Sequence, residues 1–388
     1  MSRIVRVAAR GDGVAEDGRH APFAAPGDTL TQAGEVVPGP HHQVPPCRHF
    51  PECGGCQLQH LDDEAYAGFV ADRIASALDA QGLAAPLRPT LVSPPNTRRR
   101  ATLHADRGLL GFAAEGSHAI VDMRECHILA PELFALVAPM RSLLQRLGLK
   151  RRADVHLTLT DQGPEALITG FAPEGLAAHE AITAFAQRHG LARFAVDDGM
   201  GPETRWEPEP VTVTLGGVPV PFPPHGFLQA TREGEAALVA AALEATAGAR
   251  TVADLFAGLG TFALALPARI YAAEGARDAA LALKGAANAG RRPVFVEHRD
   301  LYRRPLTAAE LDRFDAVVLD PPRAGARDQA AALAACRIQS IAYISCNPSS
   351  LARDAKTLSE GGWRIGWIQP VGQFRWSTHV ELAARFVR

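Results

Sequence analysis

Asp254-Leu255-Phe256-Ala257-Gly258-Leu259-Gly260-Thr261 follows a short apolar run and decides how the rest of the chain is read. Glycines let a backbone turn tightly and approach a ligand closely, and in open α/β sheets ligands gather at the carboxyl ends of the strands. The segment is expected to close a first strand, open a helix and wall a cofactor pocket. Outward from it, strand-like apolar runs at 252–256, 269–274, 294–296, 316–319 and 341–345 alternate with helical stretches, beginning with one over 231–245. Short apolar strands between helices imply a parallel sheet with right-handed crossovers, a doubly wound α/β domain. Successive strands end at Glu274, Asp300 and Asp320, and Glu274 lies about 20 residues beyond the glycine loop, where an acidic side chain can accept hydrogen bonds from ribose hydroxyls. The third glycine of a dinucleotide fingerprint is missing, which favours S-adenosylmethionine over a nicotinamide.

At 388 residues and 47% apolar composition the chain can bury the cores of two or three domains, which excludes a disordered chain or a disulfide-stapled mini-protein. Forty basic and 42 acidic residues give a net charge of −2, so any nucleic-acid face must be local. Six cysteines are too few for a disulfide scaffold. The start MSRIVRVAARGDG lacks the apolar core of a secretory signal, and no apolar run reaches the ~18 residues of a membrane span. A cytoplasmic protein with reduced thiols and no membrane partner is expected; oligomeric state is unreadable, a monomer being plausible. Three regions are expected: 1–40, a few short β-strands; 41–220, a mixed α+β central domain with a helix over 61–83, strands over 155–169 and 211–220, and a helix over 131–147; and 221–388, the α/β domain.

Cys47, Cys53 and Cys56 form C-x5-C-x2-C, with Cys126 far downstream. Four thiolates can hold an iron–sulfur cluster or a structural zinc, and spacing alone does not separate the two, although a compact triplet plus one distant cysteine is more typical of clusters. Arg98-Arg99-Arg100, Lys150-Arg151-Arg152 and Arg303-Arg304 are compact cationic spots able to fork onto RNA phosphates. Cys336, in an Ala-rich stretch, reads as a small buried hydrophobe.

Asp320-Pro321-Pro322-Arg323, Ser345-Cys346-Asn347-Pro348 and His379-Val380-Glu381 close the argument. Together they resemble the RNA (uracil-5-)methyltransferase family, which carries DPPR, SCNP and a terminal HVE in this order; related N-methyltransferases have an aromatic residue where Arg323 stands. The resemblance spans nearly the whole chain and implies methyl transfer from S-adenosylmethionine to carbon 5 of a uridine. Carbon 5 is a poor nucleophile, so a thiolate must first add at carbon 6, a role that falls to Cys346, and a base must then remove the carbon 5 proton, a role that falls to Glu381. An unperturbed Cys is only a few per cent thiolate at pH 7, so the site is expected to supply electropositive or hydrogen-bonding help. By the same resemblance Gln229, Phe256, Thr261, Glu274, Asp300 and Asp320 contact the cofactor. Thr231 and Ala257 depart from the family, which often has Asn and Cys at those two positions.

The resemblance also implies that Cys47, Cys53, Cys56 and Cys126 hold a [4Fe–4S] cluster, as in a subset of the family, in a structural or RNA-positioning role. Cluster-bearing relatives more often resemble ribosomal than transfer-RNA enzymes, so ribosomal RNA, 23S rRNA in particular, is the expected partner, the alternatives being a tRNA uracil-5-methyltransferase or a catalytically inactive RNA-binding module. GDGVAEDGR and PGDTL, within residues 1–36, resemble the start of a TRAM domain, an RNA-binding β-barrel, here expected to be truncated before Cys47. A target carbon stacked within folded RNA is reached by flipping the uridine out.

Overall fold

The computed structural model describes all residues, 1–388. The first 37 residues form five short antiparallel strands, Ser2–Val7, Gly13–Ala15, His20–Ala21, Thr29–Leu30 and Val36–Val37. The first strand is central, and the outermost strands, 20–21 and 36–37, do not pair, so the sheet stays open. Five strands therefore fit before Cys47, around a small core of Ile4, Ala15, Ala21, Ala24 and Leu30. Buried Asp28 ties the sheet to the following linker, accepting from the amides of Ala25 and Gly39 at 2.7 Å each.

The central region is a six-stranded sheet in the order Glu203–Trp206, Arg193–Asp197, Gly163–Thr169, Ala153–Thr160, Arg100–Asp106, Leu109–Gly111. Helices Val137–Arg146 and Leu176–Arg188 cover one face, burying Leu143, Phe185, Leu103, Val155 and Ile168 in one core. The strand expected over 155–169 is a hairpin that turns at Asp161 and Gln162. The helix expected over 131–147 is two, Pro131–Phe134 and Val137–Arg146. Pro139 explains the break: it has no N–H, and its ring would strike the carbonyl four residues back.

The C-terminal region holds an eight-stranded sheet in the order Val294–His298, Arg269–Glu274, Thr251–Leu255, Ala316–Leu319, Ser340–Ser345, Glu381–Val387, Arg364–Gly372, Leu91–Val92. The first five strands are parallel, as the alternating pattern requires, while 381–387 runs antiparallel to both of its neighbours. Alternate residues serve opposite faces. Leu255, Leu319 and Tyr343 join helices Asp63–Asp79, Arg327–Ala335 and Pro348–Glu360 in one core. Val252, Val318 and Ile344 join helices Arg232–Ala245 and Arg277–Ala289 in the other. This is the doubly wound α/β architecture, with two corrections. No helix follows the first strand: residues 258–266 form turns, because Pro267 leaves too short a run to propagate one. Packing also crosses the expected 220/221 boundary, since helix Asp63–Asp79, strand Leu91–Val92 and the hairpin Thr212–Leu215/Val218–Pro221 all belong to the cores of the C-terminal sheet. No helix is long and apolar enough to cross a membrane.

Candidate active site

The glycine loop takes its shape from three left-handed residues, Phe256 (φ 64°), Gly258 (φ 56°) and Gly260 (φ 95°). A non-glycine residue held at positive φ costs about 1–2 kcal/mol, and such strain collects where a ligand is cradled. Glu274, at the end of the second strand, secures the loop: its carboxylate accepts from the Gly258 amide at 2.7 Å and the Ala276 amide at 2.6 Å. Phe256 faces Tyr302 with ring centroids 5.4 Å apart, and the two help line a cavity of about 100 Å³ with Leu301, Gly325 and Arg353. Asp300 is exposed, accepts from the Tyr302 amide at 3.0 Å and pairs with Arg303 at 3.4 Å. Thr261 is half-buried in the turn.

Beneath this loop lies Asp254, fully buried, with no hydrogen bond of good geometry to either carboxyl oxygen and only the Ala263 amide favouring its charged form. Burial, then the charges of Asp320 and Glu274, push its pKa up to about 8. An uncompensated acidic group under a nucleotide-type loop, with Glu274 and Asp320 close by, fits a cofactor carrying an ammonium and a sulfonium. Asp254 opens the quoted motif, yet sequence reasoning gave it no role, since only the fold shows that it is orphaned. Tyr302 was likewise missed.

The DPPR, SCNP and HVE motifs meet where three strands end. Ser345 pairs with Leu382, and that register carried one step further sets Cys346 across from Glu381. Asp320 ends the adjacent strand, 316–319. Asn347 starts helix Pro348–Glu360, accepting from the Ser349 amide at 3.1 Å, and its Nδ2 donates to the Arg323 carbonyl at 3.0 Å, joining the DPPR and SCNP loops. Glu381 is 6% exposed; burial and then Asp320 raise its pKa to about 8. Burial and then Glu274 raise that of Asp320 to about 7. For Cys346, burial followed by Glu381 and Asp320 pushes the thiol up to about 11, Arg323 opposing only weakly. The chain's own groups thus disfavour the thiolate, contrary to the expectation that they would promote it. Gln229, buried, accepts at Oε1 from the amide of Gln373 at 2.9 Å.

Cys47, Cys53, Cys56 and Cys126 line a single cavity with Phe112 and Met123. Burial is the main cause raising all four thiols, Cys53 to about 11 and Cys56 to about 12, and neighbouring cysteines raise Cys53 and Cys56 further. No group of three or more His, Cys, Asp or Glu is arranged to hold a single metal ion. The fit is instead one of chemistry, four soft donors around one apolar space beside Arg98. This segment also braces the catalytic edge: the amides of Gln57 and Leu58 both donate to the Trp376 carbonyl at 2.9 Å, and the Tyr66 hydroxyl to the Phe374 carbonyl at 2.9 Å. Cys336 is buried and donates to the Leu333 carbonyl, as a small core residue would.

A large cavity of about 790 Å³ opens between the central sheet and the C-terminal edge, lined by Arg10, Arg98, Arg100, Thr102, His156 and His379 among others. The arginine run divides there. Arg98 and Arg100 face the cavity, Arg100 with its guanidinium 4.5 Å from the Phe227 ring centroid. Arg99 does not: it is 3% exposed, donating to Glu235 at 2.5 Å and to the Gln229 carbonyl at 2.9 Å. Its expected role on an RNA face is corrected to an internal brace. Lys150, Arg151 and Arg152 are exposed, as are Arg303 and Arg304.

Residues 295–387 match the model of the tRNA (uracil-5-)-methyltransferase family. An uncharacterized RNA methyltransferase of Zymomonas mobilis is 51% identical over 100% of both chains. The 23S rRNA (uracil(1939)-C(5))-methyltransferase RlmD of Pectobacterium atrosepticum is 31% identical over 91% of this chain and 82% of its own. The chain belongs to the RNA (uracil-5-)methyltransferase family. As a member of that family it is an S-adenosylmethionine-dependent RNA methyltransferase. Its fold is that of the Pyrococcus abyssi tRNA (uracil-54, C5)-methyltransferase solved with S-adenosyl-L-homocysteine, with a TM-score of 0.79, 21% identity and coverage of 100% of this chain and 99% of the other.

Proposed function

We propose that this uracil-5-methyltransferase acts on a uridine of ribosomal RNA, 23S rRNA in particular, through a covalent bond between Cys346 and the base. The observation that carries the reading is that Cys346 directly follows Ser345, whose strand partner Leu382 adjoins Glu381, with Asp320 at the neighbouring strand end and both carboxyl groups close enough to raise the Cys346 thiol. The Cys346 sulfur adds to carbon 6, and the electron pair of the 5,6 double bond moves into an enolate. S-adenosylmethionine, held by Gln229, Phe256, Thr261, Glu274, Asp300 and Asp320, supplies a methyl group on a sulfonium to carbon 5. Glu381 takes the carbon 5 proton, the double bond re-forms, and the carbon–sulfur bond breaks to return the thiolate. A base with a pKa near 8 is matched to this step, because it is partly ionised at neutral pH and strong enough to accept a carbon-bound proton once charged.

RNA enters through the cavity faced by Arg98 and Arg100, whose guanidinium groups meet phosphate, and the flipped uridine reaches Cys346 from that side. Cys47, Cys53, Cys56 and Cys126 hold a [4Fe–4S] cluster that stiffens the segment bracing the Trp376 carbonyl. Support for the ribosomal target comes from the RlmD relative, which aligns over most of both chains. Nucleoside mapping of 23S rRNA and tRNA from a deletion strain tests the target: loss of one 5-methyluridine from 23S rRNA is expected, and loss from tRNA alone contradicts it. Anaerobically purified protein is expected to be brown, with iron and sulfide in about equal amounts; zinc without iron rejects the cluster.

A further inference from the structure

We infer that Gln373 is a positioning residue that joins the cofactor arm to the proton-accepting carboxylate, its side-chain amide bridging Gln229 and Glu381. The inference rests on the roles proposed above for those two residues. Gln373 is 2% exposed and directly follows strand Arg364–Gly372, in which Val371 pairs with Glu381. Its Nε2 donates to Gln229 Oε1 at 2.9 Å, and its Oε1 accepts from the Ala230 amide at 3.1 Å. The Gln229 carbonyl is fixed separately by Arg99, so both sides of this junction are anchored. Gly234 makes the close approach possible: a Cβ there would stand 2.6 Å from Gln373 Cβ and 2.8 Å from its Oε1.

A buried primary amide costs free energy unless its polar atoms are met, and it carries two N–H donors. One serves Gln229; the other makes no hydrogen bond of good geometry, and Gln373 lies two residues past Val371, the strand partner of Glu381, so that this N–H is placed to reach the Glu381 carboxylate and favour its charged form. Among the charged or titratable groups facing Glu381, Asp320 opposes its ionisation and Arg100 from the central sheet favours it, while the Cys346 thiol is uncharged where Glu381 titrates. Gln373 is the neutral donor in this set. Because the same amide also orients Gln229, cofactor seating and proton removal share one hinge point, and disturbing it is expected to damage both.

The test uses the full chain and RNA carrying the target uridine. Gln373→Met conserves volume and removes both polar ends; Gln373→Glu keeps the acceptor for the Ala230 amide but replaces the donor with an acid. Three readouts are taken: the fraction of protein covalently attached to RNA at steady state, the pH dependence of single-turnover product release, and calorimetric affinity for S-adenosylhomocysteine. Both variants are expected to accumulate adduct several-fold, to shift the release midpoint to higher pH, and to weaken the cofactor product by roughly 3- to 10-fold. A merely structural residue would lower melting temperature without moving the pH midpoint. Glu381→Gln is measured in parallel. If it arrests as adduct while the Gln373 variants release as the unmodified protein does, this inference alone fails; if Glu381→Gln itself releases normally, the base assignment fails and takes the inference with it.

Discussion

Cys346 lies one residue beyond Ser345, the strand partner of Leu382, which brings it beside Glu381, and that carboxylate raises the pKa of the thiol. Removing that charge should therefore lower it. In Glu381→Gln, alkylation of the Cys346 peptide, followed against pH by mass spectrometry, is expected to reach half-maximal rate at a lower pH than in the unmodified chain. An unchanged or higher midpoint would show that burial and Asp320, not Glu381, set the thiol.

Arg99 and its two neighbours should separate cleanly. Arg99→Leu leaves Glu235 without its buried partner, a loss expected to cost about 3–5 kcal/mol in urea unfolding. Arg98→Ala and Arg100→Ala, whose side chains face the large cavity, are expected to weaken RNA binding and flatten its salt dependence, with the unfolding midpoint nearly unmoved. Equal stability losses for all three would refute the division.

The two loop glycines differ in kind. A Cβ on Gly260 would lie 2.3 Å from Leu283 Cδ1, so Gly260→Ala is expected to lower melting temperature and abolish cofactor binding together. At Gly258 a Cβ meets nothing within 4 Å of the protein, so on the proposed cofactor placement it would intrude only on the ligand. Gly258→Ala is expected to cost only about 1–2 kcal/mol of stability from its positive φ while lowering S-adenosylhomocysteine affinity at least tenfold by calorimetry.

Asp254 makes stability depend on pH. Its folded pKa, about 8, lies above the ordinary carboxyl value, so between those limits the folded chain holds a proton that the unfolded chain has released. Its contribution is complete below the unfolded pKa and is lost as pH rises through about 8. The cofactor-free chain is expected to lose urea resistance from pH 5.5 to 8.5, by at most ~1.4 kcal/mol per pH unit from this group. Asp254→Asn should flatten the slope; an equal slope would assign it elsewhere.

The α/β domain was legible because its strands are short, apolar and end in chemistry: Arg269–Glu274 and Ala316–Leu319 fall where the sequence puts them. Thr231 caps helix Arg232–Ala245, accepting from the Gly234 amide, so that helix was legible too. Helix Leu176–Arg188 and strands Arg193–Asp197 and Glu203–Trp206 went unread, although Arg188 and Gly190 mark the helix end and Asp197 closes the first of those strands. The turns at 258–266 looked helical because composition does not register how little room Pro267 leaves. Within the site, Cys346, Glu381 and Asp320 stand in contiguous motifs and could be named in advance. Gln373, Asp254 and Arg99 could not, since their significance lies in partners more than 50 residues away or in having none, which only the folded packing decides.

The central claim is a transient bond from Cys346 to the target base. Fluorine at carbon 5 cannot leave as a proton does, so RNA with 5-fluorouridine at the target position should halt the reaction at the adduct. Incubated with S-adenosylmethionine, the unmodified chain is expected to yield a protein–RNA species that survives denaturing electrophoresis, with the RNA mapped to Cys346, and Cys346→Ala none. An adduct that persists in Cys346→Ala, or active enzyme that forms none, would contradict the account.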